Sequence, residues 1–203
     1  MKARTEALGR IAEVLPGFSP KVAVEDSPVG THQVISARRL VEGEPYHFIP
    51  EHTLRITPVR DAGSYLVKTG DVLFISRGTR NIAVQIETVP ELTIATATFY
   101  VLRITSDRIL PGYLAWCVNQ RPIQVQLDEI RTGAGTPMIP RPAFSKIQIP
   151  IPSLENQRSI VGLARLQSRE RDLRQRLLEE TATLHRAMGT AILHGFTHPG
   201  AKE

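Results

Sequence analysis

A continuous apolar run from Val72 to Ile75 is the clearest hydrophobic pattern in the sequence. It lies between Gly70 and Gly78, and a short apolar run bounded by glycines is typical of a strand buried on both faces. Segments rich in β-branched and aromatic residues predict further strands elsewhere in the chain. These extended segments cover residues 33–36, 52–57, 82–86 and 94–104.

Helical periodicity is predicted in three short stretches. Residues 5–15 carry apolar side chains on one face of a short amphipathic helix, which Pro16-Gly17 would end. A second helix is predicted over 113–118. A third begins at Pro122, because proline is tolerated in the first turn of a helix, and reaches about Ile130.

A long helix is predicted near the carboxyl end of the chain. The β-branched residues at 147, 149 and 151 alternate as in a strand, and the prolines at 150 and 152 end its hydrogen-bond ladder. Ser153 is then placed to cap the first turn of a helix. Helical periodicity continues from Ile160 to about His194 without a proline.

This long helix carries an apolar seam with a spacing of three and four residues, which is typical of helices that pair. Glu170 and Glu180 interrupt the seam. Arginines on its flanks indicate either a solvated face or a DNA-binding face. The predicted interface with a second chain consists of Leu163, Leu166, Leu173, Leu177, Leu184 and Ala191.

Three motifs in this order resemble the specificity (S) subunit of type I restriction-modification enzymes. The first is K-T-G-D-V-L-F-I-S-R-G-T at 68–79, and the second is the glycine-rich G-A-G-T-P-M-I at 133–139. The third is I-P-I-P followed by L-x-x-Q-x-x-I-V at the start of the long helix. The resemblance implies a DNA target-recognition domain followed by a conserved helical region. The usual S subunit carries two of each, and this chain has room for one.

Composition favours a cytoplasmic protein with an acidic partner. The 203 residues are 41% hydrophobic, enough for a core, and include one cysteine, so no disulfide framework is expected. No run of 18 apolar residues occurs, so no membrane partner is expected. A net charge of +5 and a pI near 9.7 modestly favour a nucleic acid. Aromatic residues make up only 5%, which favours duplex DNA over stacked single strands.

No catalytic motif, metal site or cofactor site is predicted. The sequence has no phosphate-binding G-x-x-x-x-G-K-[ST] loop, no G-x-S-x-G motif and no N/D-P-P-Y/F methyltransferase motif. His47 with His52, and His194 with His198, lack an obvious third metal ligand. Cys117 lies on the apolar face of a predicted helix and is interpreted as a buried hydrophobic residue.

Two polar loops are the main candidates for DNA contact. One follows the buried strand and supplies guanidinium, hydroxyl and amide groups that can bind base edges or phosphates. The other is glycine-rich, so its backbone can approach a partner closely. A solvated β-turn and a flexible linker are the respective alternatives. The predicted contacts are Ser76, Arg77, Thr79, Arg80 and Asn81 in the first loop, Arg131, Thr132 and Thr136 in the second, and His32, Gln33 and Arg38 in an earlier segment.

The sequence therefore predicts an α+β recognition domain over residues 1–152, with a mixed or mainly antiparallel sheet. A coiled-coil-type helical region follows over 153–195, then a flexible tail over 196–203. By resemblance, the chain would position a DNA adenine methyltransferase subunit, and in a complete system a restriction subunit, on duplex DNA without catalysis of its own. We expect a homodimer.

Two other functions remain open. One is a regulatory or structural chain that occupies the S-subunit position without specific DNA recognition. The other is the recognition part of an enzyme whose catalytic domain lies elsewhere.

Overall fold

A computed structural model describes residues 4–19, 27, 29–50 and 54–197. The strands in these residues are β1 (Arg4–Ala7), β2 (Ala12–Pro16), β3 (His32–Ile35), β4 (Tyr46–His47), β5 (Leu54–Ile56), β6 (Val72–Ile75), β7 (Ala83–Thr88), β8 (Thr93–Ala95), β9 (Phe99–Ile104) and β10 (Gln148–Ile151). The helices are α1 (Pro111–Val118), α2 (Arg121–Ile130), α3 (Arg141–Phe144) and α4 (Leu154–Thr197). Short 3₁₀ turns occupy Leu8–Arg10, Ala37–Arg39 and Gly63–Tyr65.

The strands form three sheets, and the protein has the predicted α+β class. The largest sheet has five strands in the order β2-β9-β6-β7-β4. A three-stranded sheet has the order β5-β3-β8, and β1 pairs with β10 in a two-stranded sheet. Pairing is mainly antiparallel, with parallel pairs between β3 and β8 and between β4 and β7. The mixed, mainly antiparallel sheet is therefore confirmed.

Strand β6 lies within the five-stranded sheet, as its continuous apolar run predicts. All four of its side chains are buried, and it pairs with β7 on one side and β9 on the other. Alternate residues face two different apolar clusters, one covered by α1, α2 and α3. In that first cluster the Phe74 and Phe144 rings stack with centroids 4.2 Å apart. This two-sided packing gives the loop after β6 a rigid base.

The prediction of a helix over 5–15 is wrong. The segment instead forms β1, a 3₁₀ turn and β2. Strand β2 pairs antiparallel with β9 from Ala12 opposite Ile104 to Pro16 opposite Tyr100. Leu8 and Ile11 are fully buried at the turn. Strand pairing with a distant segment therefore overrides the local helical spacing.

The predictions for the remaining segments are largely confirmed. Helices α1 and α2 lie where the change of period predicted them. The strand predicted over 94–104 is divided into β8 and β9 by a turn at Thr96–Thr98, where the amide of Phe99 donates to the carbonyl of Thr96. Of the segment 52–57, β5 falls within the described residues, whereas 52 and 53 lie outside them.

Helix α4 has 44 residues, and its first turns are anchored by one buried side chain. Gln157 is fully buried: its Oε1 accepts from the amide of Leu110 at 2.9 Å, and its Nε2 donates to the carbonyls of Arg108 and Pro152 at 2.8 and 2.9 Å. The predicted cap is confirmed, since the Ser153 hydroxyl accepts from the amide of Asn156 at 3.3 Å.

Residues up to Ala164 form one compact unit, called the recognition unit after its predicted role, and residues from Arg165 form a second. Among the described residues, no helix has the length and apolar character needed to cross a membrane.

Candidate nucleic-acid interface

The first predicted loop is the turn that joins β6 to β7. The amide of Ile75 donates to the carbonyl of Ile82 at 2.9 Å, which closes the turn. Gly78 has a φ of +85°, a left-handed conformation that favours glycine. The turn is therefore a defined structure at the end of a buried strand.

Two of the predicted contacts in this turn, Ser76 and Asn81, are only 2% and 3% exposed. The Ser76 hydroxyl donates to the carbonyl of Thr98 at 2.9 Å, and the Asn81 Nδ2 donates to the carbonyl of Ile75 at 2.9 Å. Both side chains hold the turn in shape. They do not present polar groups to solvent, so the prediction that they touch DNA is not supported by their positions.

The arginines of the turn differ in what their side chains contact. Arg80 donates through Nη2 to the carbonyl of Leu40 at 2.6 Å and through Nη1, less closely, to that of Ala37 at 3.4 Å. It therefore ties the turn to the 3₁₀ turn at Ala37–Arg39. Arg77 and Thr79 are exposed, and their side chains have no hydrogen-bond or ion-pair partner among the described residues.

The second predicted loop is a small hairpin between α2 and α3. The backbones of Thr132 and Met138 exchange two hydrogen bonds, at 2.9 and 2.8 Å. Gly133 has a φ of +94°, and a Cβ there would lie 3.1 Å from the Thr136 carbonyl oxygen. Residues 132–136 are all exposed. The predicted exposed, glycine-dependent loop is thus present, with both ends fixed.

The two loops lie against each other. The amide of Gly78 donates to the carbonyl of Pro137 at 2.7 Å, and the amide of Ile139 donates to that of Ser76 at 2.9 Å. Arg77 and Met138 form an isolated antiparallel bridge. Two segments that the sequence predicts independently therefore form one surface.

Arg131 reinforces this junction from beneath. Its Nη2 lies 2.8 Å from the Asn81 Oδ1 and 2.8 Å from the Asp128 Oδ1. Its Nε is buried and has no hydrogen-bond partner among the described residues. Arg131 thus supports the loops through Asn81, a role that sequence reasoning did not distinguish from direct DNA contact.

The three predicted contacts of the earlier segment, at 32, 33 and 38, differ in exposure. Gln33 is 7% exposed within the three-stranded sheet, and the His32 ring nitrogen Nδ1 lies 2.9 Å from the Thr31 hydroxyl. Arg38 is exposed in the 3₁₀ turn that Arg80 contacts. Arg38 therefore lies between Ala37 and Leu40, the two residues whose carbonyls accept from Arg80 of the first loop.

Arg141 is a candidate that sequence reasoning missed. It is exposed at the first position of α3, two residues after Ile139. The Tyr100 hydroxyl donates to the Ile139 carbonyl at 2.8 Å. Burial raises the pKa of Tyr100, and the charges of Arg141 and Arg77 act in the opposite direction. An arginine two residues after the apolar pair Met138 and Ile139 was the only signal available in the sequence.

Histidine and cysteine side chains are the remaining candidates for metal ligands or nucleophiles. His47 Nε2 lies 3.2 Å from Glu87, while His52 and His198 lie outside the described residues. Within the described residues there is no group of three or more His, Cys, Asp or Glu side chains that could hold a metal ion. Burial raises the pKa of Cys117 to about 11, so its thiol stays protonated and is a poor nucleophile near neutral pH.

The predicted seam of α4 is exposed. The relative exposures are Leu163 58%, Leu166 67%, Leu173 56%, Leu177 64% and Leu184 57%, and Ala191 is exposed as well. Arg174, beside the seam, pairs with the seam residue Glu170 at 2.6 Å, and Arg176 pairs with Asp172 at 3.0 Å. These charges therefore belong to i,i+4 pairs along the helix surface.

Comparison with known proteins identifies a family. The model of the type I restriction modification DNA specificity domain matches residues 4–180. No curated protein sequence matches the chain significantly.

Solved structures have the same fold. The HsdS subunit from Thermoanaerobacter tengcongensis is similar with a TM-score of 0.59 at 22% identity, covering 98% of this chain and 51% of that one. A chain from a structural study of complex assembly and conformational transition of the type I R-M system has a TM-score of 0.64 at 18% identity, over 95% of this chain and 45% of that one. The S subunit from M. genitalium has a TM-score of 0.54 at 11% identity, over 96% and 46%. The chain thus spans about half the length of these structures.

Proposed function

The chain belongs to the family of type I restriction-modification DNA specificity domains, and we propose that it binds a specific site on duplex DNA through the two joined loops. Domains of this family are non-catalytic, and their general role is target recognition. The observation that carries the proposal is the junction of the two loops. The loop after β6 and the glycine-rich loop, which the sequence predicts independently, lie side by side at the end of a buried strand.

The side chains proposed to contact DNA are those that the two loops expose. Guanidinium and hydroxyl groups can bind phosphates or base edges, and glycines let the backbone approach a partner. Ser76, Arg80, Asn81 and Arg131 are instead proposed to support the loops, because their polar groups bond within the protein. The proposed contacts are Arg77, Thr79, Thr132 and Thr136, with Arg38 nearby.

Family membership also supports a role as an adaptor. We propose that the chain places a DNA adenine methyltransferase subunit, and where present a restriction subunit, on the site that the loops select. The exposed seam of α4 supports this role, since unburied leucines at paired-helix spacing are expected to be covered in an assembly.

We further propose that two copies of the chain pair through α4, antiparallel, to form a twofold dimer. Residues 4–180 match one specificity domain, and a twofold dimer would carry two identical copies of it. Such a dimer must select an inverted repeat. A monomer, or pairing with a different specificity chain, would instead select a single or an asymmetric site.

Selection from a randomised duplex pool tests the function. The purified chain is incubated with the pool, with and without a methyltransferase partner, and the bound fraction is sequenced. We expect enrichment of one inverted repeat. Binding of the methyltransferase without any enrichment would contradict specific recognition, and would support a regulatory chain that occupies the S-subunit position.

A loop variant tests the assigned surface. Thr79→Ala and Thr136→Ala remove exposed hydroxyls and should weaken binding to the selected duplex by about 0.5–1.5 kcal/mol each, the usual net value of one hydrogen bond. Gln167→Ala, at an exposed position on α4, is the matched control and should bind as the parent does. Unchanged binding in both loop variants would contradict the assignment of the loops.

A further inference from the structure

Arg77 and Arg141 lie on two backbone segments that run against each other. The hydrogen bond from the Ile139 amide to the Ser76 carbonyl, at 2.9 Å, joins the residue before Arg77 to the residue two before Arg141. The bridge between Arg77 and Met138 continues the same contact. The two arginines are 64 positions apart in sequence, and these bonds join the backbone segments that carry them.

The Tyr100 phenol binds the backbone segment that precedes Arg141. Its hydroxyl donates to the Ile139 carbonyl at 2.8 Å, and its ring packs with Phe74 and Phe144 in the core. Both arginine charges act on this hydroxyl. The hydrogen bond from Tyr100 therefore holds the backbone before Arg141 in place, while the side chains of Arg77 and Arg141 are exposed.

The two guanidinium groups differ from several other arginines of the recognition unit, which are paired. Paired arginines include Arg103 with Asp71 at 2.8 Å, Arg108 with Glu6 at 2.6 Å and Arg131 with Asp128 at 2.8 Å. Neither Arg77 nor Arg141 has a side-chain hydrogen bond or ion pair within the described part of the chain. Two exposed guanidinium groups on adjoining backbone segments, with no carboxylate partner among the described residues, are suited to bind one anion.

We propose that Arg77 and Arg141 together bind one phosphate of the DNA backbone, and so fix the register of the recognition loops on the duplex. The guanidinium fork matches phosphate oxygens, and two forks can share one phosphate. A phosphate contact carries no sequence information and positions the protein. Base reading then falls to Thr79 and the 132–136 loop. This inference rests on the proposed DNA-binding function.

Salt-dependent binding is the first test. Parent, Arg77→Gln, Arg141→Gln and the double variant are titrated with the selected duplex and with a scrambled duplex over a range of KCl concentrations. We expect each single variant to lose about three- to tenfold in affinity on both duplexes, and the slope of log affinity against log salt to fall by about 1. The double variant should lose less than the product of the two single losses, because one phosphate is shared.

The matched control is Arg121→Gln, an exposed arginine at the first position of α2 and outside both loops, which should change neither affinity nor slope. Losses confined to the selected duplex would make these arginines base readers and overturn the phosphate assignment. Losses that multiply in the double variant would place them on separate phosphates and overturn the shared site.

Thermal unfolding with inorganic phosphate is a second test that needs no DNA. Phosphate should raise the melting temperature of the parent and of Arg121→Gln, and should raise that of either loop-arginine variant less. Without phosphate, Arg141→Gln should melt at the parent temperature, because the Arg141 side chain is exposed and makes no bond within the described part of the chain; a lower value would indicate a structural arginine. Phosphate binding without duplex binding would contradict the proposed function but keep the anion site. Duplex binding unaffected by Arg141→Gln would overturn the site alone.

Discussion

The recognition unit buries its phenylalanine core, whereas the helix from Arg165 onward leaves its leucines exposed. Phe74, Phe99 and Phe144 have no exposed surface. On the helix, Leu177 is 64% exposed and Leu193 65%. Both regions have clear apolar periodicity, but only in the recognition unit does the chain itself supply the surface that covers it.

The difference indicates where each region obtains its stability. Burial of a leucine or phenylalanine side chain contributes about 1.5–3 kcal/mol, and the recognition unit gains this contribution within one chain. The exposed leucines of α4 make this contribution to stability only when another helix covers them. Folding of the recognition unit should therefore be independent of concentration, while the proposed pairing of α4 depends on it.

The largest expected effect is loss of pairing when charge enters the seam. Leu173→Asp with Leu177→Asp should lower self-association or partner binding by more than about 100-fold, because each buried unpaired carboxylate costs several kcal/mol. Sedimentation or light scattering at tens of micromolar protein measures the loss of association. The melting temperature of the recognition unit should stay unchanged.

The control places the same charges on the opposite face of the helix, as Gln175→Asp with Ala182→Asp. This variant should associate like the parent. If the seam variant also remains associated at micromolar concentration, the seam is not the interface and the comparison between the two regions fails.

Matched truncations compare the two regions directly. Phe144→Ala should lower the free energy of unfolding by about 3–5 kcal/mol, because it leaves a cavity beside Phe74 in the core. Leu177→Ala removes a similar apolar group from α4 and should change unfolding of the recognition unit by less than about 0.5 kcal/mol. Denaturant titration of both variants at a concentration below that of pairing measures the difference. Equal losses would show that the helix and the recognition unit share one core.

Local signals predicted the elements whose environment is also local. The run at 72–75 and the period changes of α1, α2 and α4 each depend on nearby residues, and the structure has these elements. The helix expected over 5–15 failed because β9, about 85 positions away in sequence, supplies the pairing partner of β2. Apolar spacing alone did not reveal that partner.

The sequence predicted which loops could form the candidate site, but it did not predict which of their side chains face solvent. Polar loops after a buried strand and around glycines were predicted, and they lie together. The sequence could not distinguish arginines that face solvent from those that bond distant carbonyls or amides, as Arg80 does with Leu40 and Arg131 with Asn81. Arg141 was missed because its position beside the turn depends on contacts of the folded chain.

Two glutamines of α4 test the boundary between the regions. Gln157→Leu should lower the free energy of unfolding by about 2–3 kcal/mol, because the buried groups that Gln157 satisfies, the Leu110 amide among them, lose their partner. Gln167→Leu, ten positions further along the same helix and exposed, should have almost no effect. Chemical unfolding of both proteins at equal concentration provides the comparison. Equal effects would contradict a boundary at Ala164.

The smallest expected effect is a pH dependence confined to the recognition unit. Burial raises the pKa of Cys117 from 9.0 to about 11, against a weaker opposing hydrogen bond with Tyr113. The unfolded thiol ionises above about pH 9 while the folded thiol stays protonated, so the contribution of Cys117 is complete below pH 9 and is lost as the pH rises towards 11. The loss should reach about 1.4 kcal/mol at pH 10, seen as the difference between the parent and Cys117→Ala in the free energy of unfolding at pH 8 and pH 10.

Residues 165–194 contain no Lys, Tyr or Cys, the residue types that titrate in this range, so the pairing affinity should stay constant between the same two pH values. A parent and a Cys117→Ala variant that lose stability equally would show that the thiol is not buried as described, and a parallel fall in pairing would mean that the helix interface includes groups from the recognition unit.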